Sequence, residues 1–311
     1  MKTIFGPVPS RRFGKSLGID LSPSKKQCNF DCLYCELIPK KPVESIENPP
    51  LVESVIAELQ NSIKEHPDID VITITANGEP TLYPYLDELI DKINSIKNGY
   101  KTLILTNAST INDPKIQKSL AKLDIVKLSL DCVTTKAFKK LDRPVKSIDL
   151  QSMIEGIIDF RKIYNGELIV EILMVKGINT TDEEIESFNK ILPLIDADRI
   201  DISSIDRPPA YPVEPLNYLE LLQIAKKFDS ILPIHIASRS KSDMQKSSFS
   251  NEEIISTLQK RPLTMDDIKT LFDDESFNRF QRLLSEKKIE TKQIGTLVFY
   301  GSNFKNFQKN P

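Results

Sequence analysis

No apolar run in this chain reaches the length of a membrane-spanning helix. The opening Met1-Lys2-Thr3-Ile4-Phe5-Gly6-Pro7 lacks the hydrophobic region of a signal peptide, so a cytoplasmic location is expected and disulfides are not. An excess of either charge is also missing: 42 Lys and Arg against 44 Asp and Glu leave a net charge of −2. That balance provides no global basic field for nucleic acid or an anionic membrane. Histidine is nearly absent, with His66 and His235 alone. Cysteine is scarce as well, but three of the four are crowded together and Cys132 stands apart.

The crowded stretch is Cys28-Asn29-Phe30-Asp31-Cys32-Leu33-Tyr34-Cys35, a C-x3-C-x2-C spacing. Three thiolates this close on one loop can hold a metal or a cluster. A [4Fe–4S] cube needs one ligand per iron, so three local cysteines leave one iron open. With S-adenosylmethionine on that iron, the cluster can deliver an electron and cleave the cofactor to a carbon radical. Zinc is the alternative, but a structural zinc site usually joins two knuckles. Cys132, His66 and His235 form no second knuckle.

Around this loop, short β-branched runs alternate with amphipathic ones. Strands are predicted at 17–21, 71–75, 102–106, 125–130, 168–174 and 200–205, with a short edge strand at 234–236. Helices are predicted at 52–64, 85–96, from Asn112-Asp113-Pro114, at 150–163, from Thr181 to Ile191 with Glu184 in a capping box, and at 217–228. Strands separated by helices imply parallel pairing with right-handed crossovers. The fold class is therefore α/β, a partial (βα)6 barrel of TIM type over residues 1–237, with chemistry at the C-terminal strand ends. The serine-rich stretch 238–250 reads as a linker. Helices at Asn251, Thr264 and Phe277 and a hairpin through Gly295 then predict a winged-helix-like domain over 251–303, followed by a tail at 304–311.

Other candidates stand at strand ends. Asn77-Gly78-Glu79-Pro80 follows the second strand: the glycine permits close approach to a ligand, and Glu79 suits an ammonium group, unless this is only a strand-to-helix turn. Ser129 and Asp131 share a face by strand alternation and suit ribose or amino-acid groups, or else cap a helix. Cys132 should face away from the site as a core thiol, the alternative being a hydrogen donor. Arg11, Arg12 and Lys15 either anchor an anionic substrate or form a solvated basic turn. Arg207 and Asn179 stand at the rim, Arg207 beside the rigid Pro208-Pro209.

The cysteine triad with Tyr34 before Cys35 resembles the radical SAM superfamily signature, and Asn77-Gly78-Glu79-Pro80 is similar to that superfamily's Gly-Gly-Glu motif with Asn77 in place of the first glycine. The resemblance implies that Cys28, Cys32 and Cys35 bind the [4Fe–4S] cluster. It also implies that Asn77, Gly78, Glu79, Ser129, Asp131 and Tyr34 contact S-adenosylmethionine, Tyr34 near the adenine. Gly6-Pro7-Val8-Pro9-Ser10-Arg11-Arg12 and Asp206-Arg207-Pro208-Pro209 further resemble a subgroup grouped with wyosine-base-forming enzymes. The segment from Lys2 to Gln27 lacks the extra cysteines with which 4-demethylwyosine synthase holds a second cluster, so tRNA wyosine chemistry is not expected.

The expected activity is reductive cleavage of S-adenosylmethionine to a 5′-deoxyadenosyl radical that abstracts hydrogen from a substrate, an RNA base or a peptide. The resemblance implies an external electron donor of flavodoxin or ferredoxin type; the expected state is a monomer without membrane contact. The alternative is an iron–sulfur redox sensor that binds DNA through the winged helix. Asp273, Asp274 and Glu275 before the third helix of that domain repel phosphate, whereas Arg279, Arg282, Lys287 and Lys288 attract it.

Overall fold

The structure is a computed structural model that describes residues 2–10, 12–236, 246, 248–260, 262–294 and 297–302. Eight strands form one sheet in sequential order: β1 (Ile4–Ser10), β2 (Gly14–Asp20), β3 (Val71–Thr75), β4 (Lys101–Thr106), β5 (Ile125–Ser129), β6 (Glu167–Met174), β7 (Arg199–Ser204) and β8 (Ile234–Ile236). From β2 to β8 every neighbour is parallel. The crossovers carry α1 (Val52–Glu65), α2 (Leu86–Ile96), α3 (Pro114–Leu120), α4 (Thr135–Leu141), α5 (Leu150–Ile163), α6 (Asp182–Ile195) and α7 (Tyr218–Ala225). This is the expected partial barrel, with the six anticipated strands as β2–β7 and the short edge strand as β8.

The antiparallel β1 was not anticipated. Its Gly6, Pro7 and Pro9 read as breakers, yet an edge strand tolerates proline, and the pairing with β2 is irregular between Phe5 and Val8. The short α4 also escaped, although Thr134 caps it by accepting from the Ala137 N–H. Thr181 accepts from the Glu184 N–H, but the Glu184 carboxylate does not complete a capping box. Glu184 is buried and instead accepts from the Thr134 N–H at 3.1 Å and from Thr134 Oγ1.

The two faces of the sheet differ. One packs on the helices through Ile72, Ile74, Val126, Leu128, Val170 and Ile172, which meet Val55, Leu59, Leu89 and Ile157. Each such side chain contributes about 1.5–3 kcal/mol by leaving water. The other face lines the barrel, where Val71, Leu103, Ile125 and Ile169 close around Phe13. One layer above stand Lys127, Glu171 and Asp201. The Arg12 guanidinium joins them, 3.0 Å from Glu171 Oε1 and 2.8 Å from Asp201 Oδ2. Lys127 Nζ lies 2.7 Å from Glu171. Arg12 is thus a half-buried strut of the barrel floor, neither a substrate anchor nor a solvated turn. Lys15 is likewise committed, paired with Asp68. Arg11 lies outside the described residues.

A second apolar core follows. It is built by α8 (Asn251–Lys260), α9 (Met265–Leu271) and α10 (Asp274–Ser285) with a three-stranded antiparallel sheet, order β10 (Glu290–Ile294), β11 (Leu297–Gly301), β9 (Leu263–Thr264). Thr264 and Asp267 form a reciprocal capping box at α9. Phe249, at the end of the expected linker, is buried in this core, and its N–H donates to Ser276 Oγ at 2.7 Å. Linker positions 238–245 and 247, the hairpin's Gly295 and the tail at 304–311 lie outside the described residues.

Candidate active site

The cysteine loop leaves the C-terminal end of β2, where parallel strands direct unpaired backbone groups into the barrel mouth. Two neighbouring strands fix its course. Asp20 Oδ1 accepts from the Ser22 N–H at 3.0 Å and from the Asn77 N–H at 2.9 Å. Gln27 then runs beside Gly78: its N–H donates to Asn77 O at 2.8 Å, and its carbonyl accepts from the Glu79 N–H at 3.0 Å. Gly78 has φ +144°, and a Cβ there would lie 1.7 Å from Gln27 O. The glycine is therefore needed for close approach of backbone to backbone, which delivers Cys28 to its place.

The four cysteines are free thiols, with Cys28, Cys32 and Cys35 half-buried at the mouth. Burial pushes the Cys28 thiol up to about 12, and Glu79 adds to the effect. Burial also raises Cys32 and Cys35. Each thiol must therefore lose a proton when it takes a metal. The Phe30 N–H (3.4 Å) and Asn107 Nδ2 (3.6 Å) donate to Cys28 Sγ, and Lys26 supplies positive charge beside all three sulfurs. Among the described residues, the one group of three His, Cys, Asp or Glu with ligand atoms all within 4.8 Å of one another does not include the triad. A tetrahedral zinc would bring its sulfurs to roughly 3.8 Å. In a cluster the three thiolates would sit on separate irons, farther apart than around one ion.

Glu79 lies beside this loop and is buried. Its Oε1 accepts from Thr81 N (3.0 Å), Thr81 Oγ1 (2.7 Å) and Thr106 Oγ1 (2.6 Å), while Oε2 accepts from Asn107 N at 2.7 Å. The carboxylate ties the turn after β3 to the end of β4, and Oε2 retains lone-pair capacity for one further donor. Burial raises its pKa, and the four hydrogen bonds oppose that rise.

Tyr34, Ser129 and Asp131 come together in a small enclosed space with Phe30, Asn107 and Asp142. Tyr34 Oη donates to Asp131 Oδ2, and the Leu173 N–H donates to Oδ1 at 2.7 Å. Burial pushes Asp131 up to about 7 despite both bonds. Asp142 is driven up by burial and then by Asp131. Cys132 is the core thiol expected, fully buried, but it lines this same space beside Asp142 instead of facing away.

Asn179 is a staple, not a rim ligand. Fully buried, it donates to Asp131 O (2.7 Å) and Leu173 O (2.8 Å) and accepts from the Val175 N–H at 2.7 Å. Arg207 grips both Glu36 oxygens at 2.7 Å, the Ala210 N–H donates to Cys35 O at 2.7 Å, and Tyr211 Oη donates to Asp31. The segment after β7 thereby clasps the cysteine loop. Sequence reasoning missed Asn107, although it directly follows a predicted strand. It also missed Asp142 and Lys26, for which no spacing signal exists. Beside Asn29 a cavity of about 320 Å³ opens, lined by Glu44, Ser109, Thr110, Asp113 and Asp149 among others, with no Lys or Arg.

Residues 23–191 match the profile of the Radical SAM superfamily. The chain is 43% identical over 299 residues to a UPF0026 protein of Helicobacter pylori strain J99, covering 96% of each. It is 30% identical over 325 residues to a UPF0026 protein of Methanocaldococcus jannaschii, covering 100% of this chain and 99% of that one. Among solved structures, Streptococcus suis SuiB bound to precursor peptide SuiA is similar in fold, with a TM-score of 0.55 at 18% identity over 71% of this chain and 48% of that chain.

Proposed function

The chain belongs to the radical SAM superfamily and to the UPF0026 family, and from that premise we propose that Cys28, Cys32 and Cys35 ligate three irons of a [4Fe–4S] cluster whose fourth iron takes S-adenosylmethionine. When bound, the cluster supplies the electron that cleaves this cofactor to methionine and a 5′-deoxyadenosyl radical, which takes hydrogen from the substrate. The observation that carries this reading is the set of three free thiols on one loop at the barrel mouth, fixed through Gln27 to the Gly78 turn.

The chain's own groups have distinct tasks. Asn107 and the Phe30 N–H stabilise the Cys28 thiolate by donating to it. The remaining lone pair of Glu79 Oε2 would accept from the cofactor's ammonium. Ser129 and Asp131 would accept from ribose hydroxyls, with Tyr34 holding Asp131 in place and standing near the adenine. The Arg207–Glu36 pair keeps the cysteine loop closed against water.

The acidic, cation-free lining of the cavity beside Asn29 favours a peptide or amine-bearing substrate over a phosphate-rich one. The arrangement of α8, β9, α9, α10 and the β10–β11 hairpin supports a winged-helix-like domain. Its α10 begins at Asp273-Asp274-Glu275, which favours protein recognition over DNA. The redox-sensor alternative has no observation in its favour. A flavodoxin- or ferredoxin-type donor supplies the electron to a monomeric enzyme.

The test is anaerobic reconstitution of the full chain. About four irons and four sulfides per chain are expected. A reduced-cluster electron paramagnetic resonance signal should also change on addition of S-adenosylmethionine. Zinc in place of iron, or a signal indifferent to the cofactor, overturns the reading.

A further inference from the structure

Away from the barrel mouth, one of the two histidines meets two carboxylates from different parts of the fold. His66 caps the C-terminus of α1, Glu65 is the last residue of that helix, and Glu253 lies in the first turn of α8. The imidazole nitrogen of His66 and one oxygen from each carboxylate all lie within 4.8 Å of one another. His66 Nε2 is 3.2 Å from Glu253 Oε1, and the two side chains are only 14% and 20% exposed. Glu253 Oε2 accepts from the Ser250 N–H at 2.8 Å, which fixes the carboxylate in orientation.

We propose that Glu65, His66 and Glu253 form a divalent-cation site, of zinc class, that fastens the second core to the barrel. A tetrahedral zinc binds imidazole nitrogen and carboxylate oxygen at 2.0–2.2 Å, which sets neighbouring ligand atoms about 3.3 Å apart. The His66–Glu253 separation already matches that spacing. Glu65 is exposed and free to swing inward, and water completes the shell. One imidazole with two carboxylates is an oxygen-and-nitrogen set that suits zinc or cobalt.

The local charge balance points the same way. Asp68 lies near enough to His66 to feel its charge, and Lys15 is spent on Asp68. A His–Glu pair alone needs no second carboxylate, whereas a dication uses both. The site also lies where fastening matters, since α8 and α9 pack against the edge strand β1. An ion held by α1 and α8 together stabilises that docking by mass action. The proposal is independent of the cluster at the barrel mouth.

The experiment uses full-length protein in two forms, so that the thiols of the triad do not compete for metal. One is the cluster-loaded chain, titrated with Zn²⁺ by calorimetry. The other carries Cys28→Ala, Cys32→Ala and Cys35→Ala and is titrated with Co²⁺ by visible absorption. One equivalent of metal is expected in each, without a sulfur-to-cobalt charge-transfer band. His66→Gln keeps a donor for Glu253 but lacks the imidazole, and together with Glu253→Gln it should weaken binding at least about tenfold while circular dichroism stays unchanged. Absence of saturable binding in both forms, or binding that His66→Gln leaves intact, overturns the proposal.

Discussion

Replacing Arg12 with methionine tests whether the barrel floor is held by charge. Burial drives Glu171 up, but Lys127 and, to a lesser degree, Arg12 outweigh it and hold the carboxyl at about 2 against an ordinary 4.5. The drop from 4.5 to about 2 amounts to about 3 kcal/mol at neutral pH, and Arg12 supplies the smaller part of the attraction behind it. Asp201, fully buried, loses its 2.8 Å partner as well and keeps Arg199 at 3.1 Å. With two carboxylates left short of a partner, Arg12→Met should cost about 3 kcal/mol, the lower end for breaking a buried pair. The assay is urea unfolding followed by circular dichroism at several pH values. A depressed carboxyl stabilises the fold above its unfolded value, and that contribution disappears as pH falls from 4.5 towards 2. The gap between wild type and variant should therefore be constant from pH 7 to about 5 and shrink at pH 3. A gap under about 1 kcal/mol at pH 7, or one that persists undiminished at pH 3, refutes the reasoning.

Gly78→Ala would place a methyl group 1.7 Å from Gln27 O, so iron per chain after reconstitution should drop severalfold; full loading would show that the Gln27–Gly78 contact does not position Cys28. The raised Asp131 carboxyl keeps its proton in the folded chain up to about pH 7, so wild-type stability should fall as pH rises from about 4 to 7. Asp131→Asn retains an acceptor for Tyr34 and should reduce that slope, Asp142 keeping its own share; an unchanged slope in urea titrations would assign the whole limb to other groups. Arg207→Ala should open the segment over Glu36 and speed bleaching of the cluster by air, followed at its visible absorption band.

The parts of the fold that were legible are those with local signals. β-branched runs marked β2 to β7, and helical periodicity marked α1, α2 and α5, because alternating burial is written into spacing. β1 was hidden because glycine and proline mask an edge strand whose partner lies in the next segment. The triad, the Asn77–Glu79 turn, Ser129 and Asp131 were legible because strand ends in a parallel barrel converge on one mouth. Arg12 and Asn179, and the side on which the core thiol Cys132 stands, were misjudged for a common reason. Their roles depend on Glu171, Leu173 and Asp142, partners that tertiary packing alone brings near. Glu184 fits a local capping pattern, yet the fold uses its carboxylate to hold the start of α4.

Radical generation is tested most directly by anaerobic incubation of the reconstituted full chain with S-adenosylmethionine and dithionite, with 5′-deoxyadenosine and methionine quantified by mass spectrometry. Both products are expected in equal amounts from the wild type and from neither Cys28→Ala, Cys32→Ala nor Cys35→Ala. An intact, reducible cluster that yields no 5′-deoxyadenosine, or a product that survives loss of any one of the three cysteines, would contradict the account.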